Sequence, residues 1–148
     1  MEFLVRVNDM IPVIFEEVIR KYGFKFKRIK SIESVLYKDD YALTMSVNMD
    51  YVDINFLKKE ENKIVKYCIQ TFVMQSLDEN DKSNKREGSD IETKLINYLR
   101  IYEKGLQTKW ENILMGKMDW VENYKKSFMC IIRELNPKEY SKYKDIFY

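Results

Sequence analysis

The chain contains no histidine. Histidine is the commonest general acid or base near neutral pH and a frequent ligand of transition metals. Its absence excludes His-based acid–base catalysis, Ser–His and Cys–His nucleophiles, and metal sites built on imidazole. The commonest classes of enzyme are therefore excluded, and we assign no catalytic residue and no metal ligand.

Glycine and cysteine are also scarce. The four glycines, at positions 23, 88, 105 and 116, each stand alone, so they form neither a phosphate-binding loop nor a dinucleotide-binding fingerprint. Cys68 and Cys130 lack the spacing of a metal site or a disulfide framework, and we expect reduced thiols. No cofactor is predicted.

Long apolar runs are missing too. The first residues lack a basic region followed by an apolar stretch, and no uninterrupted apolar run reaches the length of a membrane span. We therefore expect a cytoplasmic protein that does not enter a membrane. A net charge of +2 argues against a partner held by electrostatics alone, such as nucleic acid.

What the chain does have is a globular composition. Its 148 residues are 45% hydrophobic and 34% charged, which suits a single domain spanning residues 1–148 with a core of its own. Residues 76–90 carry almost no apolar side chains, and we predict that they form a mobile connector within this domain.

The N-terminal third predicts a helix. Residues 2–7 fit a short strand or a helix equally well. From Asp9, a potential cap, apolar residues recur at helical spacing through Tyr22; Pro12 lies in the first turn and Gly23 suits a left-handed end. Residues 24–33 alternate apolar and basic side chains, which fits a loop or a short edge strand protected by lysine.

Residues 33–72 predict a four-stranded antiparallel meander. In residues 41–47 and 52–56 the apolar side chains alternate with polar ones, which gives one apolar and one polar face. In residues 64–72 the odd-numbered side chains form the better core face. We expect the helix at 9–22 and the C-terminal helices to cover the apolar face, which makes the fold α+β with all helices on one side of the sheet.

The C-terminal half predicts helices. Ser89 with Glu92 resembles a capping box before a helix that Gly105 would end, and similar pairs occur at positions 108 and 111 and at 119 and 122. The apolar stripe then continues to Leu135, either as one helix bent at Gly116 or as two helices that meet there. Asn136 and Pro137 predict a last short helix.

Polar residues at the turns and on the polar face of the meander are the candidate partner-binding residues. They are Asp39, Asp40, Asp50, Tyr51, Asp53 and Asn55. As an acidic patch they would mimic nucleic acid toward a basic partner. The alternative is that the aspartates stabilise the turns through local hydrogen bonds of their side chains, and that the polar face of the meander is simply solvated.

The aromatic residues of the C-terminal half permit two interpretations. Near the many lysines they would suit base stacking, but most fall on helical core stripes and the lysines are balanced by acids, so we do not expect nucleic acid as a partner. Trp110, Trp120 and the terminal Phe147 and Tyr148 would instead suit a protein interface, including a homodimer, or the domain's own core.

Part of the sequence resembles a group of bacterial proteins. The segment from Ile14 to Tyr22-Gly23-Phe24, then Val35 and Tyr37, then the alternating residues 43–50, is similar to the immunity proteins encoded beside polymorphic or contact-dependent toxins. The resemblance covers about the first 55 residues. It implies a protein without catalytic residues that neutralises a cognate toxin by stoichiometric contact. The alternative is a small enzyme or an accessory protein associated with nucleic acid.

Overall fold

The computed structural model describes residues 2–83 and 85–148 of the chain. It is an α+β fold built on one antiparallel sheet whose six strands follow each other in chain order. The strands are β1 (Lys25–Lys30), β2 (Glu33–Lys38), β3 (Tyr41–Val47), β4 (Val52–Glu60), β5 (Lys63–Cys68) and β6 (Ile132–Glu134). The predicted count of four strands is wrong, because an edge strand is added on each side of the predicted meander.

Eight helices are described. They are α1 (Glu2–Asp9), α2 (Ile11–Ile14), α3 (Glu16–Tyr22), α4 (Gln70–Gln75), α5 (Ile91–Lys109), α6 (Glu111–Leu114), α7 (Val121–Lys125) and α8 (Pro137–Phe147). Among the residues described, none of these helices combines the length and the apolar content that crossing a membrane requires.

The N-terminal region is helical from residue 2, which settles the open choice for residues 2–7. Asp9 is the last residue of α1 and pairs with Arg28 at 2.8 Å, so its predicted role as a helix cap is wrong. The predicted helix over 9–22 is divided at Met10 and Phe15. Gly23 ends α3 in the left-handed conformation, as predicted, with φ of 75°.

The predicted alternation along the central strands is confirmed. The odd-numbered residues of β3 and β5 and the even-numbered residues of β4 share the first face of the sheet, where they form the main core with α1 to α3 and α5. The Tyr102 hydroxyl donates to the Val52 carbonyl oxygen at 2.8 Å, which fixes α5 to β4.

The opposite, second face of the sheet is covered as well. Val35, Ala42, Leu57 and Ile64 form a smaller core there with Tyr143 of α8. The prediction that all C-terminal helices pack on one face is therefore wrong for α8. These four strand residues interrupt the polar pattern of the second face. Their burial contributes hydrophobic free energy, which offsets the cost of desolvating the polar groups around α8.

The fourth predicted strand ends earlier than expected. Strand β5 stops at Cys68, and residues 70–75 form α4 instead of extending the strand to Phe72. The Phe72 ring lies 4.6 Å from the Trp110 ring and 5.2 Å from that of Tyr124. A helix places Phe72 within this aromatic cluster, and Trp120 joins the same cluster. Both tryptophans therefore serve the domain's own core.

The helical prediction through Leu135 is also wrong. Helix α6 ends before Gly116, α7 covers only Val121–Lys125, and the chain then leaves the helical conformation to form β6. The Tyr124 hydroxyl lies 2.6 Å from the Cys68 carbonyl oxygen and accepts a hydrogen bond from the Ile131 amide at 2.9 Å. These contacts bring residue 131 beside the end of β5, where pairing with β5 satisfies the backbone.

None of the three predicted capping boxes is present. The predicted Asn136 cap of α8 is confirmed, and Glu139 completes a capping box there that the sequence analysis did not identify. Asp90, and not Ser89, caps α5, and α6 and α7 begin without a side-chain cap. Helix α5 continues through Gly105 to Lys109, which places Thr108 inside the helix.

The connector at 76–90 contains neither helix nor strand in its described residues. Leu77 and Asp81 are nevertheless buried against α5: Leu77 packs beside Gly105, and the Asp81 carboxylate accepts a hydrogen bond from Thr108 and pairs with Lys109 at 3.3 Å. The mobility of the connector stays a prediction.

Two glycines with a left-handed backbone provide a matched test of this packing. A Cβ at Gly116 would lie 2.3 Å from the buried Tyr41 ring, whereas one at Gly23 would meet nothing within 4 Å. We expect Gly116→Ala to lower the free energy of unfolding by about 2–4 kcal/mol and Gly23→Ala by only about 1 kcal/mol. Urea unfolding of both variants measures the difference, and equal losses would contradict the described contact.

Candidate protein-binding site

The six predicted partner-binding residues do not form one patch. Asp39 and Asp40 make the turn between β2 and β3, whereas Asp50 and Tyr51 belong to the turn between β3 and β4. These turns lie at opposite ends of β3, a seven-residue strand about 20 Å long at roughly 3.3 Å per residue. One partner surface that includes all six residues would have to span the whole sheet.

The aspartates of the first turn have structural roles. Asp39 adopts a left-handed backbone with φ of 51°, which aspartate tolerates better than most residues. The Asp40 carboxylate pairs with Lys58 of β4. Both residues thus lie in the predicted turn, and their role in binding a partner stays a prediction.

Asp53 and Asn55 lie together on the second face. The register pairs Asn55 with Thr44 and Asp53 with Ser46, as expected from the polar alternation. Asn55 is only 3% exposed, and its amide donates to the Asp53 carboxylate at 3.2 Å. Its carbonyl oxygen has no hydrogen-bond partner within the described part of the chain. Asn55 thus positions Asp53 and is too buried to meet a protein partner directly.

Asp50 and Tyr51 are exposed, but their surroundings carry both signs of charge. Asp50 lines a shallow hollow of about 250 Å³ whose other lining residues are Lys85, Lys94, Asn97, Tyr98 and Ile101. Two lysines beside one aspartate do not make an acidic surface. The predicted mimicry of nucleic acid finds no support in this arrangement and stays a prediction.

A buried polar cluster fixes α8 on the second face. The Glu33 carboxylate is almost fully buried and accepts hydrogen bonds from the Tyr143 hydroxyl and from the Lys142 ammonium, the latter at 2.8 Å. Burial, followed by the hydrogen bond to Glu33, raises the pKa of Tyr143 above its usual range. Tyr143 therefore remains a hydrogen-bond donor near neutral pH, and the cluster is a positioning device for α8.

The two cysteines are unpaired, as predicted. Burial raises the pKa of the Cys68 thiol, so this residue is a poor nucleophile at neutral pH. Within residues 2–83 and 85–148, no group of three or more Cys, Asp or Glu side chains is placed to hold a metal ion.

Several exposed apolar side chains lie close together in sequence just before β6, a feature that the sequence prediction missed. Residues 127–132 lead into β6 and present four large side chains to solvent; we call this stretch the apolar edge. The exposed fractions are 77% for Phe128, 54% for Met129, 45% for Ile131 and 36% for Ile132. Such a concentration of exposed apolar side chains is typical of a protein-binding surface.

The backbone of β6, which continues the apolar edge, is open on one side. Strand β6 pairs with β5, and no described strand lies beyond it. The Leu135 amide donates to the Ile64 carbonyl and the Cys68 amide donates to the Ile131 carbonyl. Because an antiparallel strand alternates its hydrogen-bonding direction, Ile132 and Glu134 direct their amide and carbonyl groups away from β5.

A signal for this strand was available in the sequence. The run Phe128-Met-Cys-Ile-Ile132 is continuously apolar and rich in β-branched residues, which favours a short strand over an amphipathic helix. Assigning Phe128, Ile131 and Ile132 to a helical stripe with Val121 and Tyr124 hid that signal.

The other margin of the sheet has a different character. Strand β1 carries Lys25, Lys27, Arg28 and Lys30, and no described strand lies beyond it. It is the edge strand that the alternation in residues 24–33 suggested. Arg28 pairs with Asp9, whereas the three lysines form no ion pair within the described part of the chain. The two margins therefore differ in chemistry, one apolar and one basic.

Comparisons with protein-family models, curated proteins and solved structures gave no significant match. The resemblance to immunity proteins consequently stays a prediction from the residues that carry it.

The contact between β6 and α8 predicts a dependence of stability on pH. Arg133 donates two hydrogen bonds to the Glu139 carboxylate, at 2.5 and 2.8 Å, and Lys66 lies 3.5 Å away. Mainly because of Arg133, the pKa of Glu139 is lowered to about 2. Since the folded pKa lies below the unfolded one, the stabilisation is present above about pH 5 and is lost as the pH falls toward 2.

We expect Glu139→Gln to lower the free energy of unfolding by about 1–3 kcal/mol at neutral pH and to flatten its decline between pH 5 and 2. Glu122→Gln, at an exposed carboxylate paired with Lys125 at 3.6 Å, is the control and should follow the wild type. Denaturant unfolding across this pH range gives the comparison, and a Glu139→Gln curve parallel to the wild type would contradict the assignment.

Proposed function

We propose that this chain is a non-enzymatic protein-binding protein of the immunity or antitoxin type, which neutralises a cognate bacterial toxin in the cytoplasm by direct contact. The observation that carries the binding function is the apolar edge. Four large apolar side chains lie exposed beside an edge strand whose outer side pairs with no described strand, and both features favour association with another protein.

The apolar edge is held in place without a partner. The Tyr124 hydroxyl binds the backbone of Ile131, and the Arg133–Glu139 pair fixes β6 to α8. A surface that is already ordered loses little conformational entropy on binding, so more of the contact free energy contributes to affinity.

The backbone of Met129 also supports a binding role. Met129 adopts φ of 67°, a left-handed conformation that is uncommon for residues other than glycine, asparagine and aspartate. Strained residues of this kind cluster at functional sites, where the surrounding structure maintains them. Here the strained residue is at the tip of the apolar edge, beside the exposed Phe128.

Strand addition is the mode of contact that this geometry supports. A partner strand would pair with the outward amide and carbonyl groups of Ile132 and Glu134, while its apolar side chains cover Phe128 and Met129. Main-chain hydrogen bonds would then supply affinity, and the apolar side chains would supply selectivity.

The toxin as partner is supported by the resemblance in the first third of the chain. Its Tyr22-Gly23-Phe24 motif has a clear structural basis: Gly23 ends α3, and the buried Phe24 ring packs edge-to-face on Tyr41 at 5.8 Å. The motif therefore acts as a helix-to-strand connection that positions the sheet.

Co-expression with the C-terminal domain of the toxin that we expect the adjacent gene to encode tests the proposal. We expect the full chain to restore growth and to co-purify with that domain. Phe128→Ser combined with Met129→Ser should weaken the complex at least ~10-fold, because exposed apolar anchors are typical binding hot spots.

The matched control replaces two other exposed apolar residues, Val13→Ser and Met115→Ser, which are 61% and 49% exposed in the native chain. This variant should bind as the wild type does. Absence of both the complex and the growth rescue would refute the toxin as partner, and equal binding by both variants would refute the apolar edge as the contact.

A further inference from the structure

The basic margin of the sheet is a second open edge. Lys25, Lys27 and Lys30 are exposed along β1, and the strand contains no acidic residue. The whole chain has a net charge of only +2, so this edge is a local concentration of positive charge.

A cleft extends the basic margin onto the second face. It has a volume of about 260 Å³ and is lined by Lys30, Asn136, Lys138, Glu139 and Lys142. Lys142 is paired with Glu33, and Glu139 is paired with Arg133. Within the described part of the chain, Lys30 and Lys138 are the lysines of this cleft that have no ion pair, so the cleft favours an anionic group.

Lysine on an edge strand also has a protective role, because it discourages pairing with other strands. Protection explains the lysines of β1 itself. It does not explain Lys138, which α8 contributes to the same cleft. Moreover, the positive charges of β1 repel a second copy of this strand, whereas they attract an acidic strand.

We propose that the β1 edge binds an extended acidic segment of a partner protein, which joins the sheet as an additional strand. Carboxylates on one side of that segment contact Lys25 and Lys27, and a further carboxylate enters the cleft between Lys30 and Lys138. This interface is separate from the apolar edge and does not depend on the identity of a toxin.

A protein segment suits this edge better than nucleic acid does. Strand addition would use the outward backbone groups of Phe26 and Arg28, which alternate with those bonded to β2 and which a nucleic acid cannot pair with in this way. Binding of single strands generally uses exposed aromatic rings for stacking. The one aromatic residue of β1, Phe26, is half-buried and packs against the main core.

The test uses the full chain and a fluorescein-labelled eight-residue peptide that alternates Glu with Val or Thr. The peptide should bind, its affinity should fall as salt is raised, and the amides of Phe26 and Arg28, which alternate with those bonded to β2, should become protected from hydrogen exchange. Lys25→Glu with Lys27→Glu and Lys30→Glu should weaken binding at least ~10-fold, because carboxylates would then face carboxylates.

The control variant, Lys63→Glu with Lys117→Glu and Lys126→Glu, makes the same change in net charge at exposed lysines elsewhere and should bind the peptide as the wild type does. If the β1 variant fails to fold, Lys138→Glu on the surface of α8 should weaken binding in its place. Equal binding by all variants, protection outside β1, or tighter binding of a 20-nucleotide oligo(dT) than of the peptide would each overturn the proposal.

Discussion

The hydroxyl group of Tyr124 is the contact on which the C-terminal part of the fold depends. It lies 2.6 Å from the carbonyl oxygen at the end of β5 and accepts the amide hydrogen of Ile131. The tyrosine ring is buried against Phe72 and Trp120, so the hydroxyl position is set by the core. Ile131 is thereby held where β6 must begin, and its amide does not remain unsatisfied.

The path of the chain beyond β6 follows from that contact. Strand β6 lies at the margin of the sheet, so the next helix can pass to the second face, where Tyr143 and Leu135 cover Val35, Ala42 and Leu57. This path leaves the apolar edge exposed to solvent at the β6 margin of the sheet. The opposite margin ends in lysines. A single sheet thus has two open edges of different chemistry, and each suits a different kind of partner.

The sequence predicts what depends on near neighbours and misses what depends on distant ones. The alternation in β3 and β4 is local, so the core face of Leu43 and Ile54 was predicted correctly. The apolar run at residues 128–132 favours a strand, but β6 forms at Ile132–Glu134 because Tyr124 and β5 stabilise it there, and the local pattern does not contain that position. The candidate acids do not lie together in the structure. Asp40 precedes β3 and Asp50 follows it, so they lie at opposite ends of one strand.

Hydrogen–deuterium exchange of the full chain, with and without the toxin domain that we expect the adjacent gene to encode, tests the central claim most directly. If the apolar edge is the contact, binding should slow exchange in residues 128–134, where the amides of Ile132 and Glu134 point away from β5. Slower exchange confined to the turns at residues 39–40 and 50–55, with 128–134 unchanged, would contradict it.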